Sequence, residues 1–387
     1  MPSPRELSSA LQAIATEGLT RRRRLVESPC GARMRIAGSD MLAFAANDYL
    51  GLANHPALAE AMAEGARQWG AGSGASHLVS GHLAPHQQLE DALAGFLGFP
   101  RALTFSTGYL ANLAVIPSLT GRGDAIFADK LNHASLIDGV RLSHAESHRY
   151  AHKDMAALER QLAASSAPCK LIVSDTVFSM DGDLAPLAAL LALAERHDAW
   201  LLVDDAHGFG VLGPHGEGSL AHCGIGYHPR LVLMGTLGKA AGVAGAFVAG
   251  SEEVIEYLLQ TARSYIFTTA APPAVACALL KSLELIGAGS ALRQTLQDHI
   301  ARLQAGLAGL PWRLLESPTA IQPLLVGDNQ AALDLSAGLW QRGIWAPAIR
   351  PPTVPKGTAR LRISLSAAHT AADIDQLIAA LRELASK

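Results

Sequence analysis

The chain has 387 residues, of which 49% are hydrophobic and 17% charged, with a formal net charge of −3. This composition excludes a disordered or fibrous protein, and so small a charge gives no global field to draw the chain to nucleic acid or to an anionic membrane. At about 150 residues per domain, the length suggests two or three units around a large buried core.

The N-terminal run MPSPRELSSALQAIATEGLTRRRR is rich in arginine, yet Glu6, Glu17 and the lack of an apolar core argue against a targeting peptide. Ser3, Pro4 and Glu6 predict a capping box that opens a helix with Leu7, Leu11 and Ile14 on one face. From about residue 50 to 285, the apolar runs ALTFS, AIFAD, KLIVSD, AWLLVDD, LVLMGT and GAFVAG alternate with helical patterns such as MAALERQLAAS and LAALLALAERHD. Continuous hydrophobicity marks strands buried on both faces, so the expected class is α/β, a mostly parallel sheet between helices. After LIGAGS come a long helix, ALRQTLQDHIARLQAGLAGL, then alternating strands and a last helix, AADIDQLIAALRELAS, which read as a smaller C-terminal α+β domain. The expected division is an N-terminal helix and arm over 1–45, a large cofactor-binding domain over 46–285 and a small domain over 286–387.

Cys30, Cys169, Cys223 and Cys277 lie far apart and form no C-x-x-C pair, which argues against a zinc site or disulfide framework and fits a reduced, cytoplasmic compartment. No apolar run approaches the ~18 residues of a membrane span.

Several motifs fail their context tests. GAGSGA (70–75) matches G-x-G-x-x-A but follows the helical run PALAEAMAEGARQW, where a dinucleotide fold needs a strand. Gly235 and Gly238 are too close together for a phosphate-binding P-loop ending at Lys239, and Ala240 replaces its hydroxyl. His144, His148 and His152 recur every fourth residue, as metal ligands on a helix would, but SHRYAHKD reads as a strand end, so they are expected to be solvated loop histidines. Asp181 and Asp183 in MDGD read as a turn, and no metal is expected.

One constellation remains. Lys239 is the lone charge in LVLMGTLGKAAGVAGAFVAG (231–250), where apolar surroundings would depress its pKa and free the amine for Schiff-base formation. One strand earlier, LLVDDAHGFG ends in Asp204, Asp205 and His207, and ligands of open α/β sheets bind at such strand ends. Pyridoxal 5'-phosphate meets both needs, its aldehyde taking the lysine and its protonated ring nitrogen the aspartate. Ser106, Thr107 and Gly108 follow a strand and open a helix whose free N–H groups suit a phosphate, and Thr236 adds a hydroxyl.

NDYLGL (47–52), HASLIDG (133–139), VFSMDGD (177–183), VDDAHGFGVLG (203–213), GTLGKAAG (235–242) and AIRPPTVPKGTARLRISLSAAH (348–369) resemble the α-oxoamine synthases, pyridoxal phosphate-dependent transferases of fold type I, over essentially the whole chain. The resemblance implies that Lys239 is the Schiff-base lysine and Asp204 the partner of the ring nitrogen. It makes His207 the donor to the ring hydroxyl, puts Ser179 close to that hydroxyl, and stacks His133 over the ring. Gly108, Tyr109 and Thr236 would bind the phosphate, and Thr268 or Thr269 would reach it across the interface of a homodimer. Arg21, Asn47, Thr353 and Arg362, with His133, match substrate positions. AIRPPTVP points to the member that condenses L-alanine with a pimeloyl thioester, carried on CoA or on an acyl carrier protein, in biotin synthesis. Members using glycine or serine are the alternative. A non-catalytic cofactor-binding regulator is a remote one, since no helix-turn-helix precedes residue 45. His77 departs from the resemblance, standing where relatives often carry arginine near the acyl end.

Overall fold

The structure is a computed structural model that describes residues 4–17, 19–21 and 23–386. Its centre is a seven-stranded sheet in the order Arg101–Phe105, Ala246–Gly250, Leu231–Thr236, Trp200–Asp204, Lys170–Asp175, Ala125–Asp129, Glu146–Tyr150. Only Ala246–Gly250 runs against its neighbours; the other pairings are parallel. The six apolar runs supply six of these strands, and in Ala125–Asp129 and Ala246–Gly250 every residue is buried. The seventh strand, Glu146–Tyr150, is polar and takes the edge, where one side can face water.

Alternation along the strands feeds two cores. Phe127, Ile172, Leu201 and Leu233 point to one face, covered by the helices Ala84–Leu97, Met155–Ala164, Leu187–Arg196 and Pro273–Ala288. Ile126, Leu171, Leu202 and Val232 point to the other, covered by Gly108–Leu119, Ala134–Ser143 and Glu252–Thr261. This is the layered arrangement that continuous apolar strands require.

Towards the C-terminus a four-stranded antiparallel sheet, Arg313–Leu314, Ile321–Gly327, Ala359–Ser364 and Ala348–Ile349, packs with helices Ser290–Leu307, Asn329–Trp340 and Ala371–Ala385. Thr370 and Asp373 form a reciprocal capping box at the last helix. A hairpin of Arg33–Ile36 and Ser39–Ala43, absent from the sequence expectation, pairs in parallel with Ile344–Trp345, so the beginning of the chain packs against its end.

The N-terminal helix runs Leu7–Thr16 with Glu6 at its cap and no side-chain capping bond. A helical turn, Pro4–Glu6, precedes it, and the expected capping box depends on Ser3, which lies outside the described residues. Leu7, Leu11 and Ile14 do share a face, but it is exposed rather than packed on the core, at 53%, 66% and 42%. No single helix among the described residues is long and apolar enough to cross a membrane.

Candidate active site

Parallel strands bring their C-terminal ends to one edge of the sheet, and four polar residues gather there: Asp129, Asp175, Asp204 and Thr236, each the last of its strand. The loop after Thr236 carries Lys239, whose Nζ lies 2.9 Å from Nε2 of buried His207. Burial, the largest influence, pulls Lys239 down to about 8 against the charges of Asp204 and Asp175. Burial, followed by the positive charges of Lys239 and Arg362, holds His207 well below its ordinary range, so its ring is neutral.

Asp204 is 4% exposed and accepts hydrogen bonds from Asn112 Nδ2 at 2.8 Å and the Ala206 N–H at 3.0 Å. Among the described residues no basic side chain pairs with it. Next to it, Asp175 accepts the His133 N–H at 2.7 Å, and burial, with the Asp204 charge, raises its carboxyl well above the usual range. His133 caps the helix Ala134–Ser143, its Nδ1 accepting from the Ser135 N–H. Partial burial lowers its pKa, Asp204 opposes the shift and Lys239 adds to it, so the imidazole is within electrostatic reach of both.

On the opposite wall Arg362, 6% exposed, donates to the Ser179 carbonyl at 2.6 Å, Ser364 Oγ at 2.7 Å and Asn47 Oδ1 at 3.1 Å. Tyr49 joins the two walls: its hydroxyl lies 2.6 Å from His207 Nδ1, 3.1 Å from Asn47 Oδ1 and 3.4 Å from Arg362 Nη2. Lys239, Asp204, His207, His133, Asn47, Ser179 and Arg362 thus meet in one chamber.

Gly108 and Tyr109 begin the helix Gly108–Leu119, capped by Thr107, whose side chain accepts from the Leu110 N–H at 3.2 Å. A Cβ on Gly108 would sit 3.9 Å from Thr236, so the helix start and Thr236 are neighbours. No hydrogen bond is seen among the described residues between Thr268 or Thr269 and these residues; Thr269 bridges to Ser76 on the glycine-rich loop. Arg21 and Thr353 line a separate open cavity of about 730 Å³ between the N-terminal helix and residues 348–353, with Leu11, Ile14 and Ile349. Lys239, Asp204 and His207 are not among its walls.

One sequence reading needs correction, that of the three histidines as solvated loop residues. His144, His148 and His152 do not converge: His144 ends a helix, and His148 stacks on Phe127. His152 is no solvated loop residue, because it bridges Asp129 at 3.1 Å and Asp183 at 2.9 Å. Burial opposes its charge, but the two carboxylates outweigh burial and push it up to about 9. Asp181 and Asp183 do form a turn at Gly182, with Asp181 paired to Arg360 at 2.7 Å. His77, His82 and His86 instead bring ring nitrogens within 4.8 Å of one another. Both nitrogens of His86 are engaged by backbone, and His77 Nδ1 faces His82 Nδ1 at 2.9 Å. Their H-x4-H-x3-H spacing was the signal available in the sequence. Tyr49 and Asn112 were missed because nothing in their own residue types marks them; only the fold brings them to His207 and Asp204.

The chamber fits a flat, cationic heteroaromatic ring bearing an aldehyde and a phosphate. Asp204 lacks a cationic partner, Asn112 Oδ1 is buried without a hydrogen-bond partner, and a free amine and a helix N-terminus flank them.

Comparison with known proteins agrees. Residues 39–381 match the aminotransferase class I and II family model. The chain is similar to a serine palmitoyltransferase from S. paucimobilis, solved with bound pyridoxal phosphate and myriocin, at 31% identity and a TM-score of 0.91, covering 97% of this chain and 96% of that one. It belongs to the fold type I pyridoxal phosphate-dependent transferases, with a large α/β domain and a smaller C-terminal one. A relative from Dechloromonas aromatica (strain RCB), 8-amino-7-oxononanoate synthase, is 69% identical over 382 residues, covering 98% of this chain and 99% of the relative. The solved 8-amino-7-oxononanoate synthase from Francisella tularensis is 33% identical with a TM-score of 0.78, covering 89% of this chain and 98% of that one. Within the class, the chain is a member of the 8-amino-7-oxononanoate synthase family.

Proposed function

We propose that the protein condenses L-alanine with a pimeloyl thioester, releasing CO2 and the free thiol, to give 8-amino-7-oxononanoate for biotin synthesis, with pyridoxal 5'-phosphate as cofactor. Family membership over the full chain supports the reaction, and the Lys239–His207 contact at 2.9 Å is the observation that most supports the chemistry. The cofactor, when bound, supplies the electron sink for the negative charge left on the alanine Cα when its proton or carboxylate departs.

Lys239 would hold the cofactor and move the Cα proton, a role its amine suits because burial pulls its pKa down to about 8. Asp204 would carry the counter-charge to the ring nitrogen, oriented by Asn112. His207 would face the ring hydroxyl with Ser179 nearby, and His133 would cover the ring. The N–H groups at Gly108 and Tyr109, with the Thr236 hydroxyl, would hold the phosphate. Arg362, steadied by Asn47, would take the alanine carboxylate through its remaining Nη2 N–H, a charge-assisted hydrogen bond. Arg21 and Thr353 would hold the acyl partner in the open cavity, whose apolar walls suit a methylene chain.

The finer readings belong here too: a cytoplasmic enzyme, supported by four free cysteines; a division into 1–45, 46–285 and 286–387; thioesters on CoA or a carrier protein; and a homodimer in which Thr268 and Thr269 serve the partner's phosphate. The last rests on the family resemblance at the IFTTAAPP segment. In a mixed dimer of a Lys239→Ala chain and a Thr268→Ala/Thr269→Ala chain, shared sites leave one site intact and about half the activity. No recovery over either parent homodimer would refute sharing.

The reaction is tested by measuring thiol and CO2 release with alanine, glycine or serine across a series of dicarboxylic mono-thioesters. Alanine with the pimeloyl donor should be preferred. Preference for glycine or serine would overturn the reading.

A further inference from the structure

No role above uses Tyr49, 1% exposed, although it touches three residues that have one. Its hydroxyl has one proton and three polar neighbours. Arg362 can only donate, so the hydroxyl oxygen accepts there. Asn47 Oδ1 can only accept and competes for that proton at 3.1 Å, but it also accepts from Arg362 Nη1, whereas His207 Nδ1 lies only 2.6 Å from the hydroxyl. A contact that short is typical of an O–H donor, while N–H donors sit near ~2.9–3.0 Å.

We propose that Tyr49 is a positioning residue: its hydroxyl proton, given to His207 Nδ1, fixes the imidazole with its single N–H on Nε2, aimed at the Lys239 amine. The inference rests on reading Lys239 as the reactive amine.

Protonation states agree with this arrangement. Burial raises the Tyr49 pKa, against the lowering effect of Arg362, which keeps the hydroxyl proton in place. His207 is neutral and carries one N–H. With Nδ1 accepting, Nε2–H donates to the lone pair of the neutral lysine at 2.9 Å and favours the deprotonated amine. Arg362, Tyr49, His207 and Lys239 then form one hydrogen-bonded chain, joining the candidate carboxylate clamp to the candidate base. Once cofactor is bound, the same Nε2–H would be available to the ring hydroxyl.

The test is Tyr49→Phe in the full-length enzyme, with and without pyridoxal phosphate, because phenylalanine keeps the buried ring and removes only the hydroxyl. The 15N signals of His207 should report a single Nε2–H tautomer in the parent and a tautomer mixture in the variant. The pH at which Lys239 captures added pyridoxal phosphate half-maximally should move upward, since the donor to the neutral amine is no longer fixed. The kcat should fall about tenfold, the effect expected for one buried hydrogen bond, with a smaller change in KM for alanine. Leu50→Val, at a buried neighbouring position, gives a packing control and should leave the His207 signals unchanged. An Nδ1–H tautomer in the parent, or parent-like His207 signals in Tyr49→Phe, overturns the proposal. The parent spectrum decides the first point even if the variant does not fold. It does not depend on product formation, so failure of the proposed reaction would be seen separately.

Discussion

Around Lys239 the polar side chains are buried and bonded to one another, whereas around Arg21 the walls are apolar, open and lined by exposed side chains. Lys239, His207, Tyr49 and Arg362 are linked by contacts of 2.6 to 3.4 Å beside the ends of the central strands. Arg21 and Thr353 face a cavity of about 730 Å³ beside a helix whose apolar face points outward. The difference teaches where preorganisation is needed. Proton transfer requires donors and acceptors fixed to within tenths of an ångström, which a buried, fully bonded network provides. A flexible acyl chain requires area and a charge near its end, and an open wall is enough.

Substitutions at each region should divide accordingly. The largest effect is expected for Lys239→Ala, which removes the amine and should lower product formation by more than ~10³-fold, measured as alanine-dependent thiol release. Near-parent turnover, with contamination excluded, would break the assignment. Asp204→Asn keeps the shape and removes the charge, and should slow alanine Cα-proton exchange by roughly 10- to 100-fold. Exchange at the parent rate would detach Asp204 from the ring nitrogen.

In the open region a smaller and different effect is expected. Arg21→Ala should raise KM for the acyl thioester by about tenfold, at most, and leave KM for alanine within about twofold. If KM for alanine rises instead, the two regions are not functionally separate.

The smallest effect concerns His152, which bridges Asp129 and Asp183 behind the chamber. Its folded pKa, about 9, lies above the unfolded value of 6.5. The stability it contributes is therefore complete below pH 6.5 and is lost as pH rises through 9. Thermal unfolding should show His152→Asn less stable than the parent by about 1–2 kcal/mol at pH 6, with the gap narrowing towards pH 10. A pH-independent gap would mean the bridge carries no charge.

How much of this was legible follows from the physics of each signal. The central strands were readable because burial on both faces leaves continuous apolar runs. Glu146–Tyr150 carried no such run, since an edge strand exposed to water has no reason to be apolar. Lys239 and Asp204 stood out as charges within apolar sequence. Tyr49 did not, because a buried tyrosine is ordinary until its hydroxyl is located. His152 was misread because its two carboxylate partners are 23 and 31 residues away in the chain.

The sequence alone determined the α/β layering, the strand ends bearing Asp204 and Lys239, and the class of cofactor, because burial patterns and isolated charges are local properties. Only the tertiary structure decided that Arg362 and Tyr49, 313 residues apart, close the chamber from one side, and that Arg21 and Thr353 share a separate cavity. Those contacts depend on how sheets and helices pack across long chain distances, and no local pattern encodes the distance between two side chains that meet only after folding.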